Sequence, residues 1–160
     1  MNGAAGECDL VFQDENHIIL VECKAKSLTR GAMSGVQGDA MLDFAASLVA
    51  SQAQSLRHER VLRTQGHIIF TDGTILEWKN RTITRLSISL SDQGQLQDRW
   101  LLETCFNVLI NASVTCDPTY PKKKQIDDFN KSLKLLQEET EILVNSGQNI
   151  RAAVLNIGSA

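Results

Sequence analysis

Two short apolar runs near the N-terminus predict a β-hairpin. Residues 6–12 and 17–25 are rich in Val, Ile and Leu, and the polar segment 13–16 between them suits a hairpin loop. Two antiparallel strands are therefore expected at the start of the chain.

Three further runs in the middle of the chain have strand character. Residues 67–70 and 75–78 flank Asp72-Gly73, a dipeptide whose tolerance of positive φ favours a two-residue hairpin turn. Residues 83–90 alternate apolar with polar side chains, which is typical of a strand with one buried face. We expect the apolar side chains of this strand to face the core.

A long amphipathic helix is predicted between the first hairpin and the second. Asp39 is a plausible N-cap, the helical periodicity runs to about Thr64, and Gly66 is the expected stop. A helical wheel gathers the apolar side chains into one stripe with Gln52 near its centre. The stripe consists of Met41, Phe44, Ala45, Leu48, Val49 and Leu56.

The C-terminal half predicts two more helices. Apolar spacing over 96–109 indicates a helix of about 16 residues, and a strongly amphipathic helix is expected over 124–145 with Gly147 as its cap. Residues 150–157 have strand character and are equally compatible with a frayed tail. The whole pattern predicts a mixed α/β (α+β) fold.

Length and composition fit one globular domain over residues 1–160. The chain is 42% hydrophobic and 22% charged, with two prolines, so disorder and fibrous structure are excluded. Its 16 Lys and Arg residues against 19 Asp and Glu residues give a formal charge of −3. Any binding of nucleic acid must therefore depend on a local basic patch.

The four cysteines show no zinc-ligand spacing, so we expect reduced thiols rather than a zinc site. Neither a signal peptide nor an apolar run of about 18 residues is visible. A cytoplasmic protein without a membrane partner is the expectation.

The first hairpin carries two acidic residues that its register would bring together. If Gln13 pairs with Ile18, then Asp9 lies opposite Glu22, with the two Cβ atoms about 5 Å apart. Two ionised carboxylates at that distance repel by roughly 3 kcal/mol at an effective dielectric constant of 20. A divalent cation would remove this cost, and Mg²⁺ is typically held by one or two carboxylates with water and phosphate oxygens.

The same register would set Glu7 opposite Lys24, on the face that holds Asp9 and Glu22. Beside a cation, Lys24 could position or deprotonate an attacking water and offset charge on a phosphate. The alternative is a solvated cross-strand ion pair between Glu7 and Lys24, which contributes under about 1 kcal/mol.

These strands resemble a known nuclease motif. The segments are Gly6-Glu7-Cys8-Asp9-Leu10-Val11 and Ile19-Leu20-Val21-Glu22-Cys23-Lys24. They are similar to the G-E-x-D-h-h and h-h-h-E-x-K strands of the PD-(D/E)XK, restriction-endonuclease-like superfamily, particularly its nuclease-related-domain and RecB-like branches. The resemblance implies that Asp9 and Glu22 bind Mg²⁺ or Mn²⁺, that Lys24 is catalytic and that Glu7 is an auxiliary acid.

Many branches of this superfamily also carry a glutamine on the helix after the E-x-K strand. Gln52 matches that position, and a hydrogen-bonded core glutamine is the alternative. Gln54 lies off the stripe and is the weaker candidate. Arg57 and His58, together with Lys26, are candidate contacts to nucleic acid. The basic turn formed by Arg57, His58, Arg60 and Arg63 could follow a nucleic-acid backbone, and a solubilising surface explains it equally well.

The resemblance further implies a restriction-endonuclease-like core, in which a central mixed β-sheet is flanked by helices. It also implies a helix ahead of the first motif strand, whereas this chain begins five residues before Gly6. We therefore expect a fragment of a longer protein, whose remainder or a second copy of the chain is a possible partner. Two functions follow as hypotheses. One is a Mg²⁺-dependent nuclease acting on DNA, with RNA the lesser alternative, and the other is a catalytically inactive module of the same fold for nucleic-acid binding or assembly.

Overall fold

The protein is a mixed α+β structure in which helices flank a β-sheet, as predicted. The computed structural model describes residues 7–24, 37–89, 99–109, 111–148 and 152–156. The strands are β1 (Leu10–Gln13), β2 (His17–Lys24), β3 (His67–Ile69), β4 (Ile75–Glu77), β5 (Thr82–Ser89) and β6 (Ala152–Asn156). The helices are α1 (Gln37–Phe44), α2 (Ala50–Gln65), α3 (Arg99–Leu109) and α4 (Lys123–Asn145), with a π-helical turn (Ala45–Val49) between α1 and α2.

The main sheet is mixed and has the strand order β1-β2-β5-β6. Strand β1 runs antiparallel to β2, whereas β2, β5 and β6 are parallel neighbours. Gln13 pairs with Ile18, so the predicted register of the first hairpin is confirmed. The closing segment 150–157, for which a strand or a frayed tail had been considered, contributes strand β6.

The long predicted helix is interrupted. The π-helical turn separates α1 from α2, and Asp39 lies inside α1 rather than capping it. The Asp39 carboxylate instead pairs with Lys122, which precedes α4. The predicted stop is correct, because Gly66 caps α2 in the left-handed conformation, with φ of 78°.

Helix α2 lies between the sheet and helix α4, so the molecule has three layers in this region. The core between α2 and α4 is apolar, and the ion pair of Arg60 with Glu139 also joins the two helices. The buried apolar residues of this core, which include one from the π-helical turn, are Val49, Ala53, Leu56, Phe129, Leu133, Leu136 and Leu143. The apolar stripe predicted for residues 124–145 is thus confirmed as the buried face of α4. Gly147 follows this helix at φ of 73°, as expected of its cap.

The buried face of β5 is the opposite of the one predicted. Arg85, Ser87 and Ser89 are buried, whereas Leu86 and Ile88 are only half-buried. The reason is that α2 presents polar side chains to this face of the sheet, namely Ser51, Gln52, Ser55 and Glu59. Amphipathic periodicity located the strand, but the polarity of the covering helix decided which face is inside.

The second hairpin differs in length from its prediction. It closes through a three-residue loop with Gly73 at φ of 85°, because Phe70 and Thr74 are still joined by a backbone hydrogen bond. Helix α3 is described over Arg99–Leu109, and the start of the predicted segment lies outside the described residues. Within the described ranges, no helix has the length and apolar character needed to cross a membrane.

The three-layer packing predicts a large stability difference between two positions on α4. Leu133→Ala is expected to lower the free energy of unfolding by about 2–5 kcal/mol, because Leu133 is 2% exposed within the α2–α4 core. Ile142→Ala, at a residue 47% exposed on the same helix, should cost less than about 1 kcal/mol. Urea denaturation of both variants tests this, and equal losses would contradict the assignment of the buried face.

Candidate active site

The β1–β2 hairpin brings Asp9 next to Glu22. Asp9 lies in the bend just before β1, one residue beyond the observed Leu10–Val21 pair, and its charge acts on Glu22. Asp9 is exposed, and its Oδ2 accepts a hydrogen bond of 2.7 Å from the backbone N–H of Cys23. A longer strand β1 would use this N–H group for a backbone hydrogen bond. The bond to Asp9 therefore holds the carboxylate at the end of the β-ladder.

Glu22 is a buried carboxylate with one unsatisfied oxygen. The residue is 1% exposed, and its Oε2 lies 3.4 Å from Nζ of Lys24. Its Oε1 is buried and has no hydrogen-bond partner in the described part of the chain. Burial raises the pKa of Glu22 to about 7, against the opposing effect of Lys24, and the charges of Asp9 and Glu7 raise it further.

Glu7 lies near this pair but outside the ladder. Strand β1 begins at Leu10, so the predicted cross-strand pairing of Glu7 with Lys24 is wrong, and Lys24 pairs with Glu22 instead. The backbone carbonyl of Glu7 accepts hydrogen bonds from Gln54 and from His58 Nε2, the latter at 3.0 Å. Helix α2 therefore anchors the segment that carries Glu7 and Asp9.

Gln52 projects from helix α2 towards strand β5, next to the position of Glu22. Its Nε2 donates a hydrogen bond of 2.7 Å to Oγ of Ser87, and Ser87 is the register partner of Glu22 on strand β5. The side chain is 1% exposed, and its Oε1 has no partner among the described residues. The NH₂ group of Gln52 therefore has a hydrogen-bond partner and its carbonyl oxygen has none. A fully hydrogen-bonded core glutamine, the alternative considered from the sequence, does not describe this side chain.

The basic turn of α2 divides into two parts. Arg60 pairs with Glu139 and Arg63 pairs with Glu59, so the prediction that these two arginines could follow a nucleic-acid backbone is corrected. Their guanidinium groups bind carboxylates within the fold.

Arg57 and His58 are the remaining basic candidates. Burial lowers the pKa of His58, the hydrogen bond to Glu7 opposes this, and the charge of Arg57 adds to the lowering. Arg57 is half-buried and has no hydrogen bond or ion pair in the described ranges. Lys26, the third predicted contact, lies outside the described residues.

The site also contains two serines that the sequence analysis did not single out. Ser51 on α2 and Ser87 on β5 are both buried, and their hydroxyl oxygens are 2.5 Å apart. The polar residues at 85, 87 and 89 were a usable signal, because in a parallel register they continue the face of Glu22. That register could not be read from the strand alone.

The donor set suits a hard cation that retains water ligands. Among the described residues, no group of three or more His, Cys, Asp or Glu side chains could hold a metal ion. Asp9 and Glu22 supply two carboxylates, the number by which Mg²⁺ is typically bound. Glu22 Oε1 is one of the buried atoms that have no hydrogen-bond partner among the described residues.

The raised pKa of Glu22 predicts a pH-dependent stability in the absence of metal. The folded state retains the Glu22 proton up to about pH 7, whereas the ordinary pKa is 4.5, so stability falls as pH rises through this interval. Glu22→Gln should therefore stabilise the protein by about 1–3 kcal/mol at pH 8 and by much less below pH 5.

Urea unfolding in EDTA at several pH values measures this difference. Glu141→Gln is the matched control, since Glu141 is exposed on α4 and its replacement should leave the pH profile unchanged. A Glu22→Gln profile parallel to that of the wild type would contradict the burial of an ionisable carboxylate at this position.

Comparison with known proteins adds nothing to the geometry described above. The chain has no match among protein-family models, among curated proteins or among solved structures.

Proposed function

We propose that this protein is a metal-dependent nuclease that hydrolyses phosphodiester bonds of DNA, with RNA as the lesser alternative. The observation that carries the proposal is the Oε1 of Glu22, a buried and unpartnered carboxylate oxygen beside Asp9, with Nζ of Lys24 3.4 Å from the other oxygen. Two neighbouring carboxylates can hold a metal ion that activates water, and a nearby amine can act on that water or on the phosphate.

The electrostatics of the pair favour a bound cation. Glu22 is buried and lies next to Asp9 and Glu7, whose charges raise its pKa further. A divalent ion at Asp9 and Glu22 would offset this repulsion, and when bound it supplies the charge that activates a water molecule. Mg²⁺ fits the oxygen ligands best, and Mn²⁺ accepts the same set.

Lys24 has the position of a group that acts on the attacking water. Its side chain is 27% exposed, so the ammonium group borders both solvent and the buried carboxylate of Glu22. In that place it can orient a water molecule or stabilise negative charge that develops on a phosphate. The backbone bond to Cys23 holds Asp9 in a fixed orientation towards the same region.

The topology supports membership of the PD-(D/E)XK superfamily, which remains a proposal. Strands β1 and β2 form the antiparallel hairpin that carries the acidic motif, helix α2 crosses the sheet face, and β5 joins β2 in parallel. Gln52 lies on this helix, where many branches of the superfamily carry a glutamine. A mixed sheet flanked by helices is also the core that the resemblance implies.

Cleavage assays with Lys24 variants test the proposal. With Mg²⁺ and a supercoiled plasmid, Lys24→Ala is expected to reduce the cleavage rate by about 10²–10⁴-fold, because it removes the only motif amine while leaving both acids in place. EDTA should abolish cleavage by the wild type.

Lys134→Ala is the matched control, since Lys134 forms an exposed ion pair with Glu138 on α4. Its cleavage rate should equal that of the wild type. Metal-independent cleavage, or full activity of a folded Lys24→Ala variant, would refute the nuclease proposal.

A catalytically inactive nucleic-acid-binding or assembly module is the second candidate. Two observations favour it, since Asp9 Oδ2 is engaged by Cys23 and Nζ of Lys24 by Glu22. Such a module would still require a basic contact, and Arg57 is a half-buried cation without a protein partner in the described ranges.

The binding contribution of Arg57 can be measured without catalysis. In EDTA, Arg57→Ala should weaken binding to a DNA duplex and reduce the slope of log affinity against log salt by about 1. Lys131→Ala is the control, because Lys131 pairs with Asp128 on α4. Fluorescence anisotropy at several salt concentrations tests this, and an unchanged slope would exclude a phosphate contact at Arg57.

A further inference from the structure

A chain of buried hydrogen bonds connects helix α2 to strand β5 beside Glu22. Ser51 Oγ donates to the carbonyl of Leu48 at 3.0 Å. The hydroxyl oxygens of Ser51 and Ser87 are 2.5 Å apart, and Gln52 Nε2 donates to Ser87 Oγ at 2.7 Å. All three side chains are buried, so solvent does not compete for these bonds.

Counting protons fixes the direction of every bond in the chain. A serine hydroxyl has a single proton, and that of Ser51 is used on a backbone carbonyl that offers only an acceptor. Ser87 must therefore donate to Ser51, which leaves its oxygen only as an acceptor towards Gln52. The amide of Gln52 consequently presents its NH₂ group to Ser87 and directs its carbonyl oxygen elsewhere.

The carbonyl oxygen of Gln52 is one of two buried acceptors near each other that have no hydrogen-bond donor among the described residues. Gln52 Oε1 and Glu22 Oε1 are both buried and lack a donor in the part of the chain that the structure describes. They come from neighbouring positions, since Gln52 binds the register partner of Glu22. When Glu22 is ionised, as at pH 8, the two oxygens are both acceptors and cannot satisfy each other, whereas a cation would satisfy both.

We infer that Ser87 and Ser51 are positioning residues that fix the Gln52 amide so that its carbonyl oxygen joins Asp9 and Glu22 as a ligand of the divalent cation. This inference rests on the proposed function and adds to it a third, uncharged ligand. A neutral oxygen completes more of the coordination shell without increasing the repulsion between the two carboxylates.

Loss of the Ser87 hydroxyl removes the constraint on the amide. Gln52 can then turn its NH₂ group towards Glu22 Oε1 and donate the hydrogen bond that this oxygen lacks. The turned amide would occupy the ligand atom of Glu22 and present a donor to the cation. Loss of Ser51 has the same effect by another route, since the freed Ser87 proton can then be donated to Gln52 Oε1.

Mn²⁺ affinity of the full chain tests the inference, with free Mn²⁺ measured by electron paramagnetic resonance at pH 8. Ser87→Ala, Ser51→Ala and Gln52→Ala are each expected to raise the Kd for Mn²⁺ by about 10–100-fold. Ser87→Thr retains the hydroxyl and should restore most of the affinity. Ser55→Ala is the matched control, because it removes a buried hydroxyl of the same helix that takes no part in the chain.

A double mutant separates positioning from general damage. In a Gln52→Ala background, Ser87→Ala should leave the Kd unchanged, because the amide that Ser87 orients is already absent. A further rise in Kd would overturn the inference. Urea unfolding of each variant identifies any that do not fold, and for an unfolded Ser87→Ala protein the Ser51→Ala variant gives the same test.

The outcomes distinguish this inference from the proposed function. If the wild type binds no Mn²⁺, the proposed function fails and the inference fails with it. If the wild type binds Mn²⁺, Glu22→Gln abolishes binding, and the Ser87, Ser51 and Gln52 variants bind as the wild type does, the function stands and the inference is overturned.

Discussion

The interior contact between helix α2 and the sheet is polar, and the candidate site depends on it. Glu22, Arg85 and Ser87 project from β2 and β5 towards a helix that presents Gln52 and Glu59. Buried polar groups are costly unless they are paired, so this layer constrains the relative placement of helix and strands more tightly than an apolar contact would. The geometry beside Glu22 follows from that constraint.

The polar layer contains one ion cluster that is paired within the fold and one site that is not. At one end, Glu59 lies 3.1 Å from Arg85 and 2.8 Å from Arg63, whose guanidinium also stacks 5.2 Å from the ring centroid of Trp78. Burial raises the pKa of Glu59, but both arginines oppose the shift. At the other end, Glu22 has one lysine at its edge and an oxygen without a donor. Glu22 and Glu59 each keep one buried oxygen without a hydrogen-bond partner among the described residues. The two carboxylates therefore differ in the charge around them, since two arginines face Glu59 whereas one lysine faces Glu22.

Apolar packing supports the polar layer from both sides. The α2–α4 interface holds the helix from behind, and beneath the helix a second cluster holds the sheet. That cluster is built from Ile18, Leu20, Leu62, Leu76 and Ile83. A site that needs its ligand atoms held to within a fraction of an ångström benefits from rigid elements of this kind. Asp9, by contrast, lies at the open end of β1, where a single backbone bond to Cys23 orients it.

The sequence by itself determined the first hairpin and its register, because strand periodicity and a polar loop leave few other pairings for residues 10–13 and 18–21. It also determined the buried face of α4, since one strong apolar stripe dominates that helix. Only the tertiary structure decided that β5 runs parallel to β2 with its polar face inwards, and hence that Ser87 lies beside Glu22. Strand pairing between segments more than 60 residues apart depends on how the whole chain packs, and no local pattern encodes it.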